Sequence, residues 1–106
     1  MPKGILYVES QPNSPEEAEA FHTWYEGTHL KEVTAIEGVV SARRFAVLGD
    51  DGPFIAIYEL DADDLAAVQA RISGAFKDGR ISPQVGVRTD PPPRVMFCRE
   101  TAVYVP

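Results

Sequence analysis

The chain has 106 residues, of which 44% are hydrophobic and 25% charged, and its formal net charge is −6. These values are typical of one globular domain, which we expect to span residues 1–106. The acidic charge and the scattered Lys and Arg residues argue against nucleic acid as a partner, because nucleic-acid binders carry a basic stripe. Apolar runs are far shorter than the ~20 residues of a membrane span, so we expect no membrane partner. Cys98 is the only cysteine, which excludes an intrachain disulfide and favours the cytoplasm.

The first part of the chain predicts a strand followed by a helix. Residues 4–10 are rich in β-branched and aromatic side chains, which is typical of a strand. Ser14, Pro15 and Glu17 have the spacing of a capping box with proline at the first helical position, so the helix should begin near Pro15. Gly27 should bend or break this helix before a second short segment.

A strand hairpin is predicted after this helical region. The second short segment is expected over residues 30–35, and Gly38 should end it. Residues 39–48 and 54–60 have strand character, and the turn between them, residues 49–53, consists of Gly, Asp and Pro. The two strands should therefore pair in antiparallel orientation.

The last part predicts a second helix, a long connection and a final strand. Residues 61–64 offer several N-caps, and Gly79 should end the helix. Residues 77–93 form a connection longer than compact domains usually contain, so it is a lid, a dimer arm or a mobile segment. Residues 94–105 should form the last strand. Four apolar side chains at near-helical spacing mark the buried face of the second helix: Leu65, Val68, Ile72 and Phe76.

The element order, βαββαβ, predicts an α+β fold of the ferredoxin-like type. Such a fold has a four-stranded antiparallel sheet with two helices on one face. The first, third and last predicted strands are apolar on both sides. Two helices cover only one face of the sheet, so the other face needs a partner. We expect a homodimer in which two copies of the sheet pack face to face.

The candidate catalytic residue is His29. On a helix it shares one stripe with Ala18, Phe21 and Tyr25, and this stripe should face the interior. An imidazole among aromatic side chains suits an acid–base site, with Tyr25 and the only tryptophan, Trp24, as substrate-binding walls. The alternative is a core histidine that is hydrogen-bonded to a backbone carbonyl or to a tyrosine hydroxyl.

The same helix also offers a possible metal site. His22, Glu26 and His29 have a spacing that would place two imidazoles and a carboxylate on one face for a divalent metal. The sequence offers no clear further ligand nearby, so we expect no metal. In the simpler interpretation, His22 lies at the surface and pairs with Glu26 one turn later.

An arginine pair, Arg43–Arg44, lies in the middle of the second predicted strand. Because neighbours in a strand point to opposite faces, one arginine must face the helices, and strict alternation groups Arg44 with Val40. An inward arginine needs an anionic ligand or a carboxylate, which Glu9 or Glu59 would supply from nearby strands. The sequence leaves open which arginine faces the pocket, and Arg44 is the substrate-binding candidate.

Tyr7 and Tyr58 complete the set of candidate substrate-binding residues. Each lies on a predicted strand and has a hydroxyl to offer at the wall of a pocket. The alternative for both tyrosines is packing in the core, and the sequence does not decide between the two roles.

A longer pattern resembles a known family. It reads Phe21-x-x-Trp24-Tyr25-x-x-x-His29-Leu30-x-Glu32-Val33, followed by Gly38-Val39-Val40-Ser41-Ala42-Arg43-Arg44-Phe45. The pattern resembles the dimeric α/β-barrel superfamily and, within it, the EthD-like group. The resemblance implies a homodimer with a pocket between helices and sheet in each subunit, and it implies that His29 is directed into that pocket. It does not specify an activity, because function depends on the pocket rather than on the fold.

Two kinds of function follow as expectations. Related families include muconolactone isomerases, polyketide cyclases, cofactor-free monooxygenases and haem-degrading enzymes. We expect a small enzyme without a cofactor that uses His29 for proton transfer on a hydrophobic aromatic or polyketide-like carbonyl compound, as an isomerase, cyclase or lyase. The alternative is a non-catalytic dimeric protein that binds a small ligand or a protein partner, with an interior filled by side chains. A haem-binding protein would need His29 as its axial ligand.

Overall fold

Four antiparallel strands form one sheet. The computed structural model describes residues 2–49 and 51–106, so Met1 and Asp50, the latter in the predicted turn, lie outside the described residues. The order across the sheet is β2-β3-β1-β4, and the predicted hairpin is the β2–β3 pair. The strands are β1 (Lys3–Ser10), β2 (Val39–Ala46), β3 (Phe54–Asp61) and β4 (Arg94–Arg99).

The first helical region runs from the end of β1 towards β2. It begins with a 3-10 turn, Pro15–Glu17, and continues as α1 (Ala18–Trp24), a π-helical turn (Tyr25–His29) and α2 (Leu30–Thr34). The regular helix therefore starts later than the capping-box pattern predicted. The carboxylate of Glu17 accepts a hydrogen bond from the Ser14 hydroxyl at 3.1 Å, and the Ser14 side chain does not cap the helix itself.

The π-helical turn replaces the bend or break predicted near Gly27. The backbone keeps right-handed helical dihedrals on both sides of this turn, and the Leu30 amide bonds to the Tyr25 carbonyl five residues earlier. Gly27 is exposed on the wide turn and a Cβ at this position would meet no atom within 4 Å. Residues five positions apart thus become neighbours along the axis, as residues four apart are in an α-helix.

The second helix, α3 (Leu65–Lys77), begins at one of the predicted caps. The Asp64 carboxylate accepts hydrogen bonds from the amides of Ala66 and Ala67 at 3.0 and 3.4 Å. The helix ends just before Gly79, whose positive φ of 82° suits glycine. The element order and the antiparallel sheet confirm the predicted α+β ferredoxin-like fold.

A β-bulge at the start of β2 changes the alternation of its side chains. Val39 pairs with Leu60 and Ser41 pairs with Glu59, so one extra residue, Val40, is accommodated between them. Val39 is buried whereas Val40 is 59% exposed. Because of the bulge, Arg44 shares its side with Val39 and not with Val40, contrary to the strict alternation assumed from the sequence.

Strand β4 is shorter than predicted. It ends at Arg99, and the amide of Glu100 makes the last bond to this sheet, to the Lys3 carbonyl at 2.7 Å. Its partner β1 begins at Lys3, and residues 101–106 lie outside the strands of the described part of the chain. Their alternating apolar pattern indicated a strand, but pairing and not pattern decides where a strand ends.

The main core lies between the helices and the sheet. Phe21, Val33, Tyr58 and Val68 are the largest fully buried side chains. The opposite side of the sheet, called the open face here, carries half-exposed apolar residues instead. Among residues 2–49 and 51–106, no helix is both long enough and apolar enough to cross a membrane. The open face includes Ile5, Tyr7, Ile55, Ile57, Met96 and Cys98.

Candidate functional site

A cavity of about 310 Å³ lies between the helices and the sheet. Its floor comes from the alternate side chains of the sheet that point toward the helices, including Leu6 and Ser10 of β1 and Phe97 of β4. The helical region contributes Trp24, Tyr25 and His29, and Tyr58 contributes from β3. This volume is at the lower end of the range for small-molecule sites. The filled interior expected for a non-catalytic module is therefore not observed.

The π-helical turn brings Trp24 and His29 together. Their rings are stacked, with centroids 4.5 Å apart and planes 26° apart. In a regular α-helix, residues five positions apart point in different directions, but the Leu30-to-Tyr25 bond widens the turn so that the two rings overlap. The Tyr25 ring packs edge-on against the imidazole at 4.9 Å. His29 is thus fixed between two aromatic rings at the wall of the cavity.

Burial keeps His29 neutral at physiological pH. Loss of hydration lowers the pKa of the imidazole to about 4, with an opposing effect from the Glu32 carboxylate and a further lowering by Arg44. Nδ1 is buried and has no hydrogen-bond partner in the described part of the chain. The ring nitrogen that remains for a ligand is therefore Nε2. A neutral imidazole nitrogen beside an apolar cavity is chemically a proton acceptor.

Two tyrosines and a serine form the polar side of the cavity. The side chains of Ser10, Tyr25 and Tyr58 all border it. Burial raises the pKa of Tyr25, while the hydroxyls of Tyr58 and Ser10 and the charge of Arg44 act in the opposite direction. Burial also raises the pKa of Tyr58, reinforced by the neighbouring Tyr25 hydroxyl, with which the Tyr58 hydroxyl makes no hydrogen bond of good geometry. Both phenols stay protonated at neutral pH and are available as donors.

Arg44 lies next to this site without bordering the cavity. Its guanidinium carbon lies 4.3 Å from the centre of the Tyr25 ring and just over 5 Å from those of Phe21 and Phe54. Its Nη1 donates to Glu26 at 2.9 Å and to Nδ1 of His22 at 3.0 Å. The inward arginine is therefore Arg44, and the Tyr25 ring stands between its charge and the cavity.

The carboxylate that pairs with Arg44 is not one of those expected from the sequence. Glu9 and Glu59 lie on the open face, whereas Arg44 faces the helices and meets Glu26 of the π-helical turn. His22 is not simply a surface partner of Glu26 either, because Arg44 lies between the two side chains. Strand pairing has a sequence signal and points to strand neighbours, whereas the packing of helix on sheet, which brings Glu26 to Arg44, has none.

Tyr7, predicted as a pocket wall, is on the wrong side of the sheet for that role. It alternates with Leu6 and Val8, which border the cavity, so its ring lies on the open face. Its hydroxyl donates to the Glu9 carboxylate at 2.8 Å. Tyr58 is the strand tyrosine that reaches the cavity, and Tyr7 has no contact with it.

The long connection forms a wall of the cavity. It contributes Gln84, Val87 and Pro93 to the lining. Sequence reasoning did not identify these residues, because nothing in their spacing indicates which part of a loop packs inward. Phe76, predicted as a core residue of the second helix, is 47% exposed and borders the cavity as well.

Hydrogen bonds hold this connection in place. The Glu32 carboxylate accepts bonds from the Ser82 amide at 3.0 Å and from the Ser82 hydroxyl at 2.6 Å. The Gly86 carbonyl accepts from the Asn13 amide at 2.7 Å, and the Arg88 amide donates to the Gln11 carbonyl at 2.8 Å. These bonds pack the connection against its own domain beside the cavity, and a lid or dimer-arm role for it stays a prediction.

The metal-binding alternative requires three side chains to converge, and they do not. His22 and Glu26 flank Arg44, while His29 is turned toward Trp24 and the cavity. Across residues 2–49 and 51–106, no group of three His, Cys, Asp or Glu side chains is arranged to hold a metal ion.

Comparison with known proteins supports the fold. No protein-family model and no curated protein matches this sequence. Among solved structures, the chain is similar to the crystal structure of an ethyl tert-butyl ether d (EthD) family protein from Bacillus halodurans C-125. The two share 16% sequence identity with a TM-score of 0.57, over 92% of this chain and 96% of the other. The chain therefore has an EthD-like fold.

Proposed function

We propose that this protein is a small cofactor-independent enzyme that transfers protons on a hydrophobic aromatic or polyketide-like carbonyl compound. The reaction would be an isomerisation, a cyclisation or a lyase step, with His29 as the catalytic acid–base. The observation that carries this proposal is a neutral imidazole, stacked on Trp24 and fixed at the wall of an apolar cavity. Perturbed titratable groups in such cavities are characteristic of acid–base sites.

The reaction begins with His29 as the base. Its neutral Nε2 takes a proton from the carbon next to the substrate carbonyl, and the same nitrogen returns the proton at another carbon. A pKa of about 4 makes the imidazole a weak base, so the C–H bond must already be acidic. A carbon between two carbonyls, or between a carbonyl and an aromatic ring, meets this requirement.

The second requirement is a donor for the oxygen on which enolate charge develops. Tyr25 borders the cavity, and the hydroxyls of Tyr58 and Ser10 favour its ionised form. A donor placed in advance at this oxygen stabilises the enolate without reorganisation. Trp24 and the side chains of the sheet would provide the flat apolar walls for the rest of the substrate.

Hydrogen–deuterium exchange tests the proton transfer without knowledge of the natural substrate. The probe is 2-tetralone, whose C1–H lies between an aromatic ring and a ketone. In D2O the NMR signal of this proton should disappear faster with the protein than in buffer alone. His29→Asn should reduce this acceleration about 100-fold or more. His22→Asn is the matched control, because His22 does not border the cavity. Exchange that is equally fast in His29→Asn would refute the catalytic role.

A second candidate function is binding without catalysis. The low pKa of His29 favours it, because a base with a pKa of about 4 is far from the optimum for catalysis at neutral pH. The same experiment separates the two functions. A protein that binds the ketone in its cavity but never accelerates the exchange is a binding protein.

We also propose that the working form is a homodimer in the cytoplasm, joined through the open face. Its central strands place Ile5, Tyr7, Ile55 and Ile57 side by side, all only partly buried in one chain. An apolar sheet face of this kind needs a cover, and a second copy offers an identical and complementary one.

Analytical ultracentrifugation tests this assembly. Ile57→Glu places a charge at the centre of the open face and should give a monomer at concentrations where the wild type is a dimer. Thr23→Glu, on the exposed surface of α1, should leave the dimer intact. A wild-type protein that is monomeric at all concentrations would exclude the dimer.

A further inference from the structure

Unpaired polar atoms concentrate around the cavity. In the described part of the chain, six buried side-chain nitrogens and oxygens have no hydrogen-bond partner, and half belong to cavity residues: Trp24 Nε1, His29 Nδ1 and Tyr58 Oη. Buried atoms of this kind are uncommon because leaving them unpaired is costly. These three atoms are themselves buried, so they do not open onto the cavity and cannot pair with a ligand in it.

The residues around the cavity carry no formal charge at neutral pH. They are apolar side chains, hydroxyls, one amide, one indole and the neutral His29. The nearest charged groups that influence His29 are Glu32 and Arg44. Glu32 is an anion bound to Ser82, and Arg44 is bound to Glu26 behind the Tyr25 ring. Neither group offers a free cation to a ligand in the cavity.

From this uncharged lining we infer that the cavity selects uncharged flat ligands that carry a carbonyl group and rejects carboxylates of the same shape. The inference rests on the proposed function in that it concerns the same site, but it requires no catalysis. The ligand carbonyl would accept a hydrogen bond from the Tyr25 hydroxyl. A carboxylate would have to lose its hydration with no cation to compensate it, and Glu32 would repel it.

Three ligands of similar shape test the selection. The uncharged ligands are 2-acetylnaphthalene and 2-naphthamide, and the charged one is 2-naphthoate. Trp24 is the only tryptophan, so the protein has one indole N–H signal in a 1H–15N spectrum, and it comes from the wall of the cavity. At pH 7.5 both uncharged ligands should shift this signal and bind at least tenfold more tightly than 2-naphthoate.

Two outcomes would overturn the inference. One is a 2-naphthoate affinity equal to or greater than that of the ketone. The other is an indole signal that neither uncharged ligand shifts up to its solubility limit. Selective binding of the uncharged ligands by a protein that does not accelerate exchange of 2-tetralone would refute the proposed catalysis and leave the selection intact.

Variants at two tyrosines locate the hydrogen bond. Tyr25→Phe keeps the ring between Arg44 and the cavity but removes the donor. The affinity for the ketone should therefore fall about fivefold to tenfold. Tyr7→Phe removes a hydroxyl from the open face and should leave the affinity within twofold of the wild type. Equal effects of the two variants would show that Tyr25 is not the donor.

Discussion

Two clusters of polar side chains lie next to each other in this fold and have opposite electrostatics. The cavity cluster (Trp24, Tyr25, His29 and Tyr58) carries no charge at neutral pH, because burial lowers the pKa of the imidazole and raises those of the phenols. The arginine cluster (His22, Glu26 and Arg44) contains an ion pair with a distance of 2.9 Å.

One aromatic ring separates the two clusters. Tyr25 borders the cavity on one side and lies 4.3 Å from the guanidinium carbon of Arg44 on the other. The arginine thus influences the ionisation of Tyr25, Tyr58 and His29 without giving a ligand direct access to its charge. A buried cation can thus shift the pKa values of cavity residues while the cavity itself stays uncharged.

The largest expected effect concerns the protonation of the cavity cluster. The folded protein holds His29 neutral down to about pH 4, whereas the unfolded chain protonates a histidine near pH 6.5. Protons therefore favour the unfolded state between these values, and the free energy of unfolding should fall by about 3 kcal/mol as the pH drops from 6.5 to 4 because of this residue.

Urea unfolding of the wild type and His29→Asn across this pH range measures that effect. Carboxylates contribute to both curves, so the difference between the two curves isolates the imidazole. His22→Asn should follow the wild type far more closely, since His22 is much less buried. Parallel curves for wild type and His29→Asn would mean that the histidine is not buried as a neutral group.

The next effect tests whether Arg44 stabilises the fold by its charge or by its packing. Arg44→Ala removes the contacts with three aromatic rings and should lower the free energy of unfolding by about 2 kcal/mol. Arg44→Met retains most of that packing and removes two buried unpaired nitrogens, so its cost should be less than half as large. Thermal unfolding of both variants checks the order, and an equal loss in both would assign the stability to the charge.

The smallest effect has the opposite sign. Tyr58→Phe removes a buried hydroxyl that has no partner among the described residues, so the variant should be more stable than the wild type by about 1 kcal/mol. Tyr7→Phe breaks a real hydrogen bond to Glu9 and should not stabilise the protein. Urea unfolding of the two variants measures the difference, and a Tyr58→Phe protein less stable than the wild type would show that this hydroxyl is already satisfied.

The sequence predicted the fold well because periodicity and turn residues carry the information. The hairpin between β2 and β3 and the helix face of Val68 and Ile72 follow from such local signals. The last strand was predicted too long because alternation cannot show where the partner strand ends. The grouping of Arg44 with Val40 was wrong for a similar reason, since a bulge interrupts the alternation without a signal in composition.

The candidate site was predictable only in part. Tyr25 and His29 are four residues apart in one helical region, so a helical projection brings these two together, whereas Trp24 joins them only through the π-helical turn. Gln84 and Val87 belong to the cavity through a connection whose path depends on hydrogen bonds to distant parts of the chain. No sequence pattern encodes such contacts.

By itself the sequence determined the order of the elements and which helical stripe faces inward, because these depend on the chemistry of neighbouring residues. Only the tertiary structure decided that a π-helical turn stacks Trp24 on His29, that Tyr7 and Tyr58 lie on opposite faces, and that Arg44 binds Glu26. Those outcomes depend on how the helices lie on the sheet. That arrangement minimises the free energy of the whole chain and is not a property of any one segment.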